Sequence, residues 1–180
     1  MYLIAAADEN MGIGKNNWLP WNLPNEFKHF VSVTKHTKDP NKRNAIIVGR
    51  KTFLSVPVKH RPYKGRLTVV LSRSTKEIEG AEHVCESLEK ALDLIHSPPY
   101  LDQIESIYNL GGAEVYSAAL SSPACKRIYL TRIFAKFDCD AYFPDFDKSQ
   151  YRLISVPEIT SEIQEENGTR YKYEVYEKIN

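Results

Sequence analysis

The chain has 180 residues, and its 24 lysines and arginines nearly balance its 23 aspartates and glutamates, leaving a formal charge of +1. This length is typical of one domain, and we expect a single domain over residues 1–180. The small net charge argues against a dedicated nucleic-acid or anionic-membrane surface, which would need a basic surplus. No apolar run of about 18 residues occurs, so we expect no membrane span.

The cysteines and histidines predict neither a disulfide framework nor a metal centre. Cys85, Cys125 and Cys139 form an odd set without a Cys-x-x-Cys spacing, and no His-Glu-x-x-His pattern occurs. Free thiols are typical of a reducing compartment, and the first residues lack the basic region of a signal peptide. We therefore expect a cytoplasmic protein that holds no metal.

In chain order, the hydrophobic pattern predicts strands that alternate with helices. Residues 2–7 form a short apolar run typical of a strand buried on both faces, and residues 8–20 form a turn-rich loop. A helix is predicted to begin at Pro24, because Phe27, Phe30 and Val31 follow helical spacing. Further strands are predicted at residues 45–48, 67–72, near 84, 106–110 and 127–133. Further helices are predicted at residues 50–55, 88–95 and 113–120.

The C-terminal region has the pattern of antiparallel strands. Residues 151–156 and 159–165 are predicted strands, Asn167-Gly168 is a predicted hairpin turn, and alternation through Tyr171 to Val175 predicts a last strand. The earlier repeated strand–helix units imply a parallel arrangement. The predicted fold class is therefore α/β, with a mostly parallel sheet, antiparallel C-terminal strands and flanking helices.

Three predicted strands run directly into glycine or basic residues that open the next segment. These junctions are IVGRKT at residues 47–52, VLSR at 70–73 and NLGGA at 109–113. Ligands of parallel sheets lie at the carboxyl ends of the strands, where helix N-termini offer free N–H groups to phosphate. Neither a Gly-x-Gly-x-x-Gly nor a Walker pattern is present. One such junction alone is typical of a plain turn, but the three together favour a dinucleotide site.

Three further features each allow a structural and a functional interpretation. Glu26 lies at the edge of the predicted apolar helix stripe, where it either complements the helix dipole or acts as a buried acid. Arg66 is either a solvated surface residue or a bidentate clamp for a carboxylate. The loop at residues 8–20 is either passive or a mobile lid. By default, Trp21 and Phe27 are expected in the core.

Five segments occur in an order and spacing that resemble the dihydrofolate reductase family. They are NMGIGK at residues 10–15, LPWNLPNEF at 19–27, GRKT at 49–52, Arg61-Pro62, and GGAEVY at 111–116. The match is collinear from Tyr2 to Lys178. The length and the ending Tyr-x-Tyr-Glu-Val-Tyr-Glu are similar to the eukaryotic, single-function members.

The resemblance implies an eight-stranded, mostly parallel sheet that holds NADPH and dihydrofolate in one cleft. It implies reduction of 7,8-dihydrofolate to 5,6,7,8-tetrahydrofolate, by hydride transfer from nicotinamide to the pterin with protonation assisted by Glu26. Such an enzyme would support one-carbon metabolism and thymidylate and purine synthesis. It would be a monomer, would bind antifolates in the substrate cleft, and would use neither a membrane nor a nucleic acid.

The resemblance also assigns residues to roles. Glu26 would be catalytic, Trp21 would hold a water beside it, and Thr131 would orient its carboxylate. The residues implied for the folate pocket are Ile4, Ala5, Leu19, Glu26, Phe27, Phe30, Val31, Val56, Arg66 and Leu110. Arg66 would pair with the carboxylate of the glutamate tail. The residues implied for the cofactor are Ala6, Gly12, Ile13, Gly14, Lys15, Asn16, Asn17, Trp18, Gly49, Arg50, Lys51, Thr52, Leu71, Ser72, Arg73, Ser87, Gly111, Gly112, Ala113, Glu114, Val115 and Tyr116. The family further implies cis peptide bonds at Arg61-Pro62 and Gly111-Gly112.

Three positions depart from the family pattern. Trp18 places a bulky side chain in the closing loop, and Asn109 places an amide in a buried strand, where it needs hydrogen-bond partners. Glu86 places a carboxylate near the expected adenosine phosphate, although Ser72 and Arg73 at the neighbouring strand end favour NADPH. No acidic ribose-binding residue, the mark of NAD preference, occurs at that strand end.

Two alternative functions remain open at this point. The first is a reductase of the same fold that acts on another heterocycle, such as a pterin or a pyrimidine of riboflavin synthesis. Such a substrate has no carboxylate tail and would not need Arg66. The second is a catalytically silent folate- or nucleotide-binding protein, against which the intact pair of Trp21 and Glu26 argues.

Overall fold

The computed structural model, which describes residues 1–61 and 63–180, is organised around one mixed β-sheet. The strands are β1 (Tyr2–Ala7), β2 (Gly12–Gly14), β3 (Arg43–Gly49), β4 (Arg66–Leu71), β5 (His83–Cys85), β6 (Ile104–Asn109), β7 (Arg127–Ile133), β8 (Ala141–Tyr142), β9 (Tyr151–Ile154), β10 (Gln164–Glu166) and β11 (Thr169–Lys178). The helices are α1 (Pro24–Lys35), α2 (Arg50–Leu54), α3 (Leu88–Ile95) and α4 (Ala113–Leu120), with short 3-10 turns at Val58–His60, Tyr100–Asp102 and Lys148–Gln150.

Eight strands lie side by side in the order β10-β11-β7-β1-β6-β3-β4-β5, and β9 pairs with the second half of β11. The pairs from β7 to β5 are parallel, whereas β11 runs antiparallel to β7, β9 and β10. The short strands β2 and β8 form a separate antiparallel ribbon. The predicted fold class, a mostly parallel sheet with an antiparallel C-terminal edge, is confirmed.

The central strands are continuous apolar runs because helices and loops cover both faces of the sheet. Ile46, Ile47 and Val48 of β3 are fully buried, and they alternate between two hydrophobic clusters. One cluster packs against α3 and α4, and the other packs beneath α1 and α2. Each such side chain stabilises the fold by about 1.5–3 kcal/mol relative to leaving it in water.

Two polar side chains fix the ends of helices. Ser87 caps α3 as its Oγ accepts a 3.1 Å hydrogen bond from the Lys90 N–H, which is the role that its position before a helix favours. The fully buried Asn44 on β3 donates from Nδ2 to the carbonyls of Thr34 and His36, at 2.9 and 2.8 Å. Its Oδ1 accepts from the Ser106 N–H at 3.1 Å, so one amide ties the end of α1 to β3 and β6.

The structure differs from the sequence prediction in two loops. The predicted loop at residues 8–20 contains β2 and a tight turn in which Asn16 and Asn17 have positive φ. The predicted strand at 159–165 is wrong over most of its length, because β10 begins only at Gln164. Residues 160–163 are exposed, and the hydroxyl of Thr160 accepts from the Glu162 N–H at 3.2 Å, a local bond that competes with strand pairing.

Two further expectations concern the backbone and the membrane. The Gly111-Gly112 peptide bond is cis, as the resemblance implied, and Pro98-Pro99 is also cis. The bond at Arg61-Pro62 lies outside the described residues. No helix in the described part of the chain combines the length and the apolar character that a membrane span requires.

Candidate active site

The carboxyl group of Glu26 lies at the centre of the site. Glu26 is in the first turn of α1 and is only 8% exposed, although its neighbours on the chain, Asn25 and Phe27, are exposed. Thr131 on β7 donates a hydrogen bond of 2.9 Å from Oγ1 to Glu26 Oε1. This contact joins the helix to the sheet and leaves the second carboxyl oxygen, Oε2, without a hydrogen bond to the described residues.

Burial raises the pKa of Glu26 from its ordinary 4.5 to about 7. The hydrogen bond from Thr131 opposes this shift, because it stabilises the ionised form, and the negative charge of Glu166 adds to it. A carboxyl group with this pKa exchanges its proton readily near neutral pH. Of the two interpretations that the sequence allowed, the structure therefore supports the buried acid.

Trp21 offers an unused hydrogen-bond donor in the same region. Its indole is buried and packs edge-on against Phe137, with the ring centroids 5.5 Å apart. Its Nε1 is buried and has no hydrogen-bond partner among the residues that the structure describes. A buried donor normally has a partner, so this N–H is suited to a bound ligand or a water. Trp21 is a core residue as expected, whereas Phe27 is 55% exposed and the expectation that it lies in the core is wrong.

Arg66, at the start of β4, is a buried cation held by neutral groups. Its guanidinium donates to Thr34 Oγ1 at 2.9 Å and, through Nε and Nη2, to the Lys64 carbonyl at 3.1 and 3.0 Å. It lies over the ring of Tyr63, and burial lowers its pKa. Within residues 1–61 and 63–180 no carboxylate lies at ion-pair distance from it. A buried guanidinium without a counter-ion is suited to an anionic ligand.

Aromatic and aliphatic side chains surround these polar groups. Phe30 contacts Phe27 and Tyr63, with ring centroids 5.7 and 6.4 Å apart, and it packs against the buried cluster that includes Ile4 and Leu110. Leu19 is 44% exposed. The remaining residues predicted for the folate pocket, all half-buried, are Ala5, Val31 and Val56.

Glycines permit a close approach between the ends of β3 and β6. The Gly49 N–H donates to the Gly111 carbonyl at 2.6 Å, and a Cβ on Gly49 would lie 3.0 Å from Val115. A Cβ on Gly111, whose φ is +80°, would overlap the ring of Tyr116. The buried Asn109 finds the partner that its position requires, because its Oδ1 accepts from the Gly111 N–H at 3.0 Å.

This glycine cradle lies between two helix N-termini, since α2 begins directly after Gly49 and α4 directly after Gly112. Arg50 and Lys51 are exposed at the start of α2, and Arg73 is exposed after β4. The hydroxyl of Tyr116 donates to the Ile4 carbonyl at 2.7 Å, which ties α4 to β1. The structure thus brings together two of the three predicted strand-end junctions, at the ends of β3 and β6. The third, which includes Leu71 and Ser72, lies at the end of β4, the strand on the other side of β3.

Ser72, Ser87 and Glu86, which lie near the expected adenosine phosphate, already have hydrogen-bond partners within the protein. Ser72 Oγ accepts from the Thr75 N–H at 3.2 Å, and Ser87 serves as the cap of α3. Glu86, which precedes α3, pairs with Lys90 of that helix at 2.9 Å. Its negative charge is therefore balanced by Lys90 and not by Arg73.

Sequence reasoning missed the buried carboxylate of Asp8, which anchors the start of the loop at residues 8–20. Its Oδ1 accepts from the N–H groups of Asn10 and Gly12, at 2.9 and 2.8 Å, and its Oδ2 accepts from the Phe137 N–H at 2.9 Å. A Cβ on Gly12 would meet the side chains of Cys139 and Asp8, so this end of the loop is tightly packed. An acid directly after a buried strand was the available signal. At the other end of the loop, Trp18 is 61% exposed.

Comparison with known proteins gives a consistent result. The family model described as dihydrofolate reductase matches residues 1–178. The dihydrofolate reductase of Rattus norvegicus is 45% identical over 178 residues, covering 97% of this chain and 95% of that protein. The dihydrofolate reductase of Bos taurus is 43% identical over 180 residues, covering 98% and 96%. The solved structure of Schistosoma mansoni dihydrofolate reductase superposes with a TM-score of 0.88 at 32% identity, covering 99% of this chain and 97% of that one.

The raised pKa of Glu26 predicts a pH-dependent cost to stability. Between pH 4.5 and about 7 the folded state binds more protons than the unfolded state, so stability falls as the pH rises through this window. Glu26→Gln keeps the shape and the acceptor for Thr131 but cannot ionise. We expect this variant to be more stable than the wild type by about 1–3 kcal/mol at pH 8 and equally stable at pH 4. Urea denaturation at both pH values measures the difference.

The control for this experiment is Glu79→Gln, which removes an exposed carboxylate. We expect it to change stability by less than about 0.5 kcal/mol at either pH. If Glu26→Gln gives no stability gain at pH 8, the carboxyl group of Glu26 is not desolvated in solution.

Proposed function

The chain belongs to the dihydrofolate reductase family, and from this premise we propose that it reduces 7,8-dihydrofolate to 5,6,7,8-tetrahydrofolate with NADPH, using Glu26 to assist protonation. Enzymes of this family reduce dihydrofolate with a nicotinamide cofactor. The observation that carries the proposal is the buried Glu26 carboxyl group, held by Thr131 of β7. The indole of Trp21, which packs in one cluster with Ile133 at the end of the same strand and whose N–H has no partner among the described residues, supports it. The proposal extends to a cytoplasmic monomer that binds antifolates in the same cleft.

The protein's own groups suit the protonation step. Thr131 occupies Oε1 of Glu26, so Oε2 is left to bind the amino-amide edge of the pterin. Because the pKa of Glu26 is about 7, the group can release a proton toward the pterin nitrogen and regain one from solvent in each cycle. The Trp21 N–H can hold the water that carries this proton. When bound, NADPH supplies the hydride that the neighbouring pterin carbon accepts.

The glycine cradle supports the proposed cofactor site. Side chains at residues 49 and 111 would meet Val115 and Tyr116, so the glycines allow the ends of β3 and β6 to meet where α2 and α4 begin. The first N–H groups of α4 and the cations Arg50 and Lys51 would hold the pyrophosphate. Arg73 would hold the 2′-phosphate, with Ser72 and Thr52 completing the polar surface. The loop from Gly12 to Trp18 would cover the nicotinamide end.

Arg66 favours dihydrofolate over the alternative heterocyclic substrates. A pterin or a pyrimidine without a carboxylate tail would leave this buried cation without an anion. A folate carries such a carboxylate at the far end of a benzoyl group, and the exposed Phe27 and half-buried Phe30 provide an apolar surface between Glu26 and the tail site. The acid at the start of α1 and the cation beside Thr34, about two turns further along the same helix, therefore match the polarity of the proposed substrate.

The decisive experiment follows the loss of NADPH absorbance with dihydrofolate as substrate. The wild-type protein should turn over, and Glu26→Gln should lose about 10²–10⁴-fold in kcat at pH 7 while retaining folate binding. The loss should shrink at acid pH, because solvent can then protonate the pterin directly. A loss below about tenfold at pH 7 would remove Glu26 from the catalytic role, and no turnover by the wild type would favour the silent binding protein.

Arg66→Leu should weaken dihydrofolate binding and leave a tail-less pterin nearly unaffected. The proposed contact is a charge-assisted, bidentate pair, which contributes about 1.5–3 kcal/mol, or roughly ten- to a hundredfold in Kd. Fluorescence titration with both ligands measures the effect. Arg43→Leu, which removes a partly exposed arginine paired with Glu82, is the control and should affect neither ligand. Equal weakening of both ligands by Arg66→Leu would place the tail site elsewhere.

Arg73→Glu should weaken NADPH binding roughly thirty- to a thousandfold and leave NADH almost unchanged. The variant loses a charge-assisted bond to the 2′-phosphate and adds a repulsive charge, whereas NADH carries no phosphate there. Glu86→Gln, which removes a carboxylate already paired with Lys90, should change NADPH affinity far less. If Arg73→Glu weakens both cofactors alike, the 2′-phosphate does not bind at Arg73.

A further inference from the structure

Glu26 occupies a position in α1 that should favour its ionised form. Leu23 precedes the helix and provides no side-chain cap, so Glu26 is the third helical residue after Pro24 and Asn25. The N–H groups of a first helical turn have no partners within the helix, and the helix dipole is positive there. Both effects stabilise a carboxylate and make it a weaker proton donor, which opposes the chemistry proposed for Glu26.

A second carboxylate, that of Glu166, binds this helix terminus. Glu166 is the last residue of β10, and both of its oxygens accept from the Asn25 N–H, at 3.0 and 2.8 Å. The next residue, Asn167, donates from Nδ2 to the Asn22 carbonyl at 3.0 Å, and the Tyr171 hydroxyl donates to Glu166 at 3.4 Å. The turn between β10 and β11 therefore contacts the start of α1, and the carboxylate of Glu166 binds Asn25, the residue directly before Glu26.

We propose that Glu166 is a positioning residue for the reaction. Its carboxylate binds the N-terminus of α1 and thereby keeps Glu26 protonated, as a proton donor, at neutral pH. Glu166 takes the free N–H that precedes Glu26, and its charge offsets the positive end of the helix. Ionising Glu26 would then place a second negative charge at the same helix end, next to a carboxylate that is already there. This inference rests on the proposed function only for its consequence in catalysis.

The other groups that face Glu26 are neutral at this pH. His29 lies one turn along α1, stacked on Tyr173 with ring centroids 3.7 Å apart, and burial lowers its pKa to about 4. Thr131 on β7 carries no charge. Among the described residues, burial raises the pKa values of the tyrosines that interact with Glu26, so these tyrosines are uncharged at this pH: Tyr116, Tyr171 and Tyr173. Glu166 is therefore the charged group among the described residues that acts on Glu26.

The test compares Glu166→Gln with Glu165→Gln in the ligand-free protein. The glutamine at residue 166 keeps an oxygen that can accept from Asn25 but removes the charge. Glu165 is the adjacent residue of β10, is exposed, and pairs with Arg170 at 3.6 Å, so its variant removes the same charge from the opposite side of the strand. The titration of the Glu26 carboxyl carbon, followed by ¹³C NMR, gives its midpoint directly and without any turnover.

We expect Glu166→Gln to lower the midpoint of Glu26 by about half a pH unit or more and Glu165→Gln to leave it unchanged. The alkaline limb of the kcat profile should move to lower pH by the same amount in Glu166→Gln alone. An unchanged midpoint in Glu166→Gln, or an equal shift in both variants, would overturn the proposal. If the wild type shows no dihydrofolate turnover, the proposed function fails, while the NMR midpoints still decide the role of Glu166.

A measurement on the wild type covers the case in which Glu166→Gln does not fold. Raising the salt concentration from about 0.1 M to about 1 M shortens the Debye length from about 10 Å to about 3 Å. Because the contact between Glu166 and Asn25 is exposed, its charge is screened, and the midpoint of Glu26 should fall. A midpoint that does not change with salt would show that the charge of Glu166 does not act on Glu26.

Discussion

The removal of one carboxyl group, that of Glu26, from water is the constraint on which the site depends. A buried carboxyl costs stability whenever it is ionised, and this cost is acceptable only in a fold with a large apolar core. The largely buried strands β3, β4 and β7 provide that core, and Thr131 of β7 donates to Glu26 of α1. The same packing that stabilises the protein thus produces the local environment in which a carboxylic acid titrates near neutrality.

Glu26 and Arg66, an acid and a base, are both buried and do not pair with each other. Each is held by a threonine hydroxyl, from Thr131 and from Thr34 respectively. A neutral hydroxyl orients an ionisable side chain but provides no counter-charge, so both groups can still bind a ligand. Because Thr34 lies on the same helix as Glu26, the acid and the cation lie along one side of α1, at its beginning and near its end.

Much of this arrangement was predictable from the sequence, for identifiable reasons. Apolar runs such as residues 45–48 predict buried parallel strands, and Ser87 before a helix predicts a cap, because both signals are local. The contacts of Asp8 with Phe137 and of Asn44 with Ser106 could not be predicted, because these partners are distant in the chain. The strand predicted at 159–165 failed because local turns formed by Ile159 and Thr160 outweigh hydrophobic alternation. Glu26 could be placed on a helix from its spacing, but its burial depends on Thr131 and the C-terminal hairpin.

The side chain of Tyr116 joins the glycine turn after β6 to β1. Its ring occupies the space that a side chain on Gly111 would need, and its hydroxyl donates to the carbonyl of Ile4. A movement of the glycine turn therefore displaces the same ring that braces β1, because both contacts share one rigid group. A ligand that moved the glycine turn would therefore also move β1, and a ligand held against β1 would resist that movement.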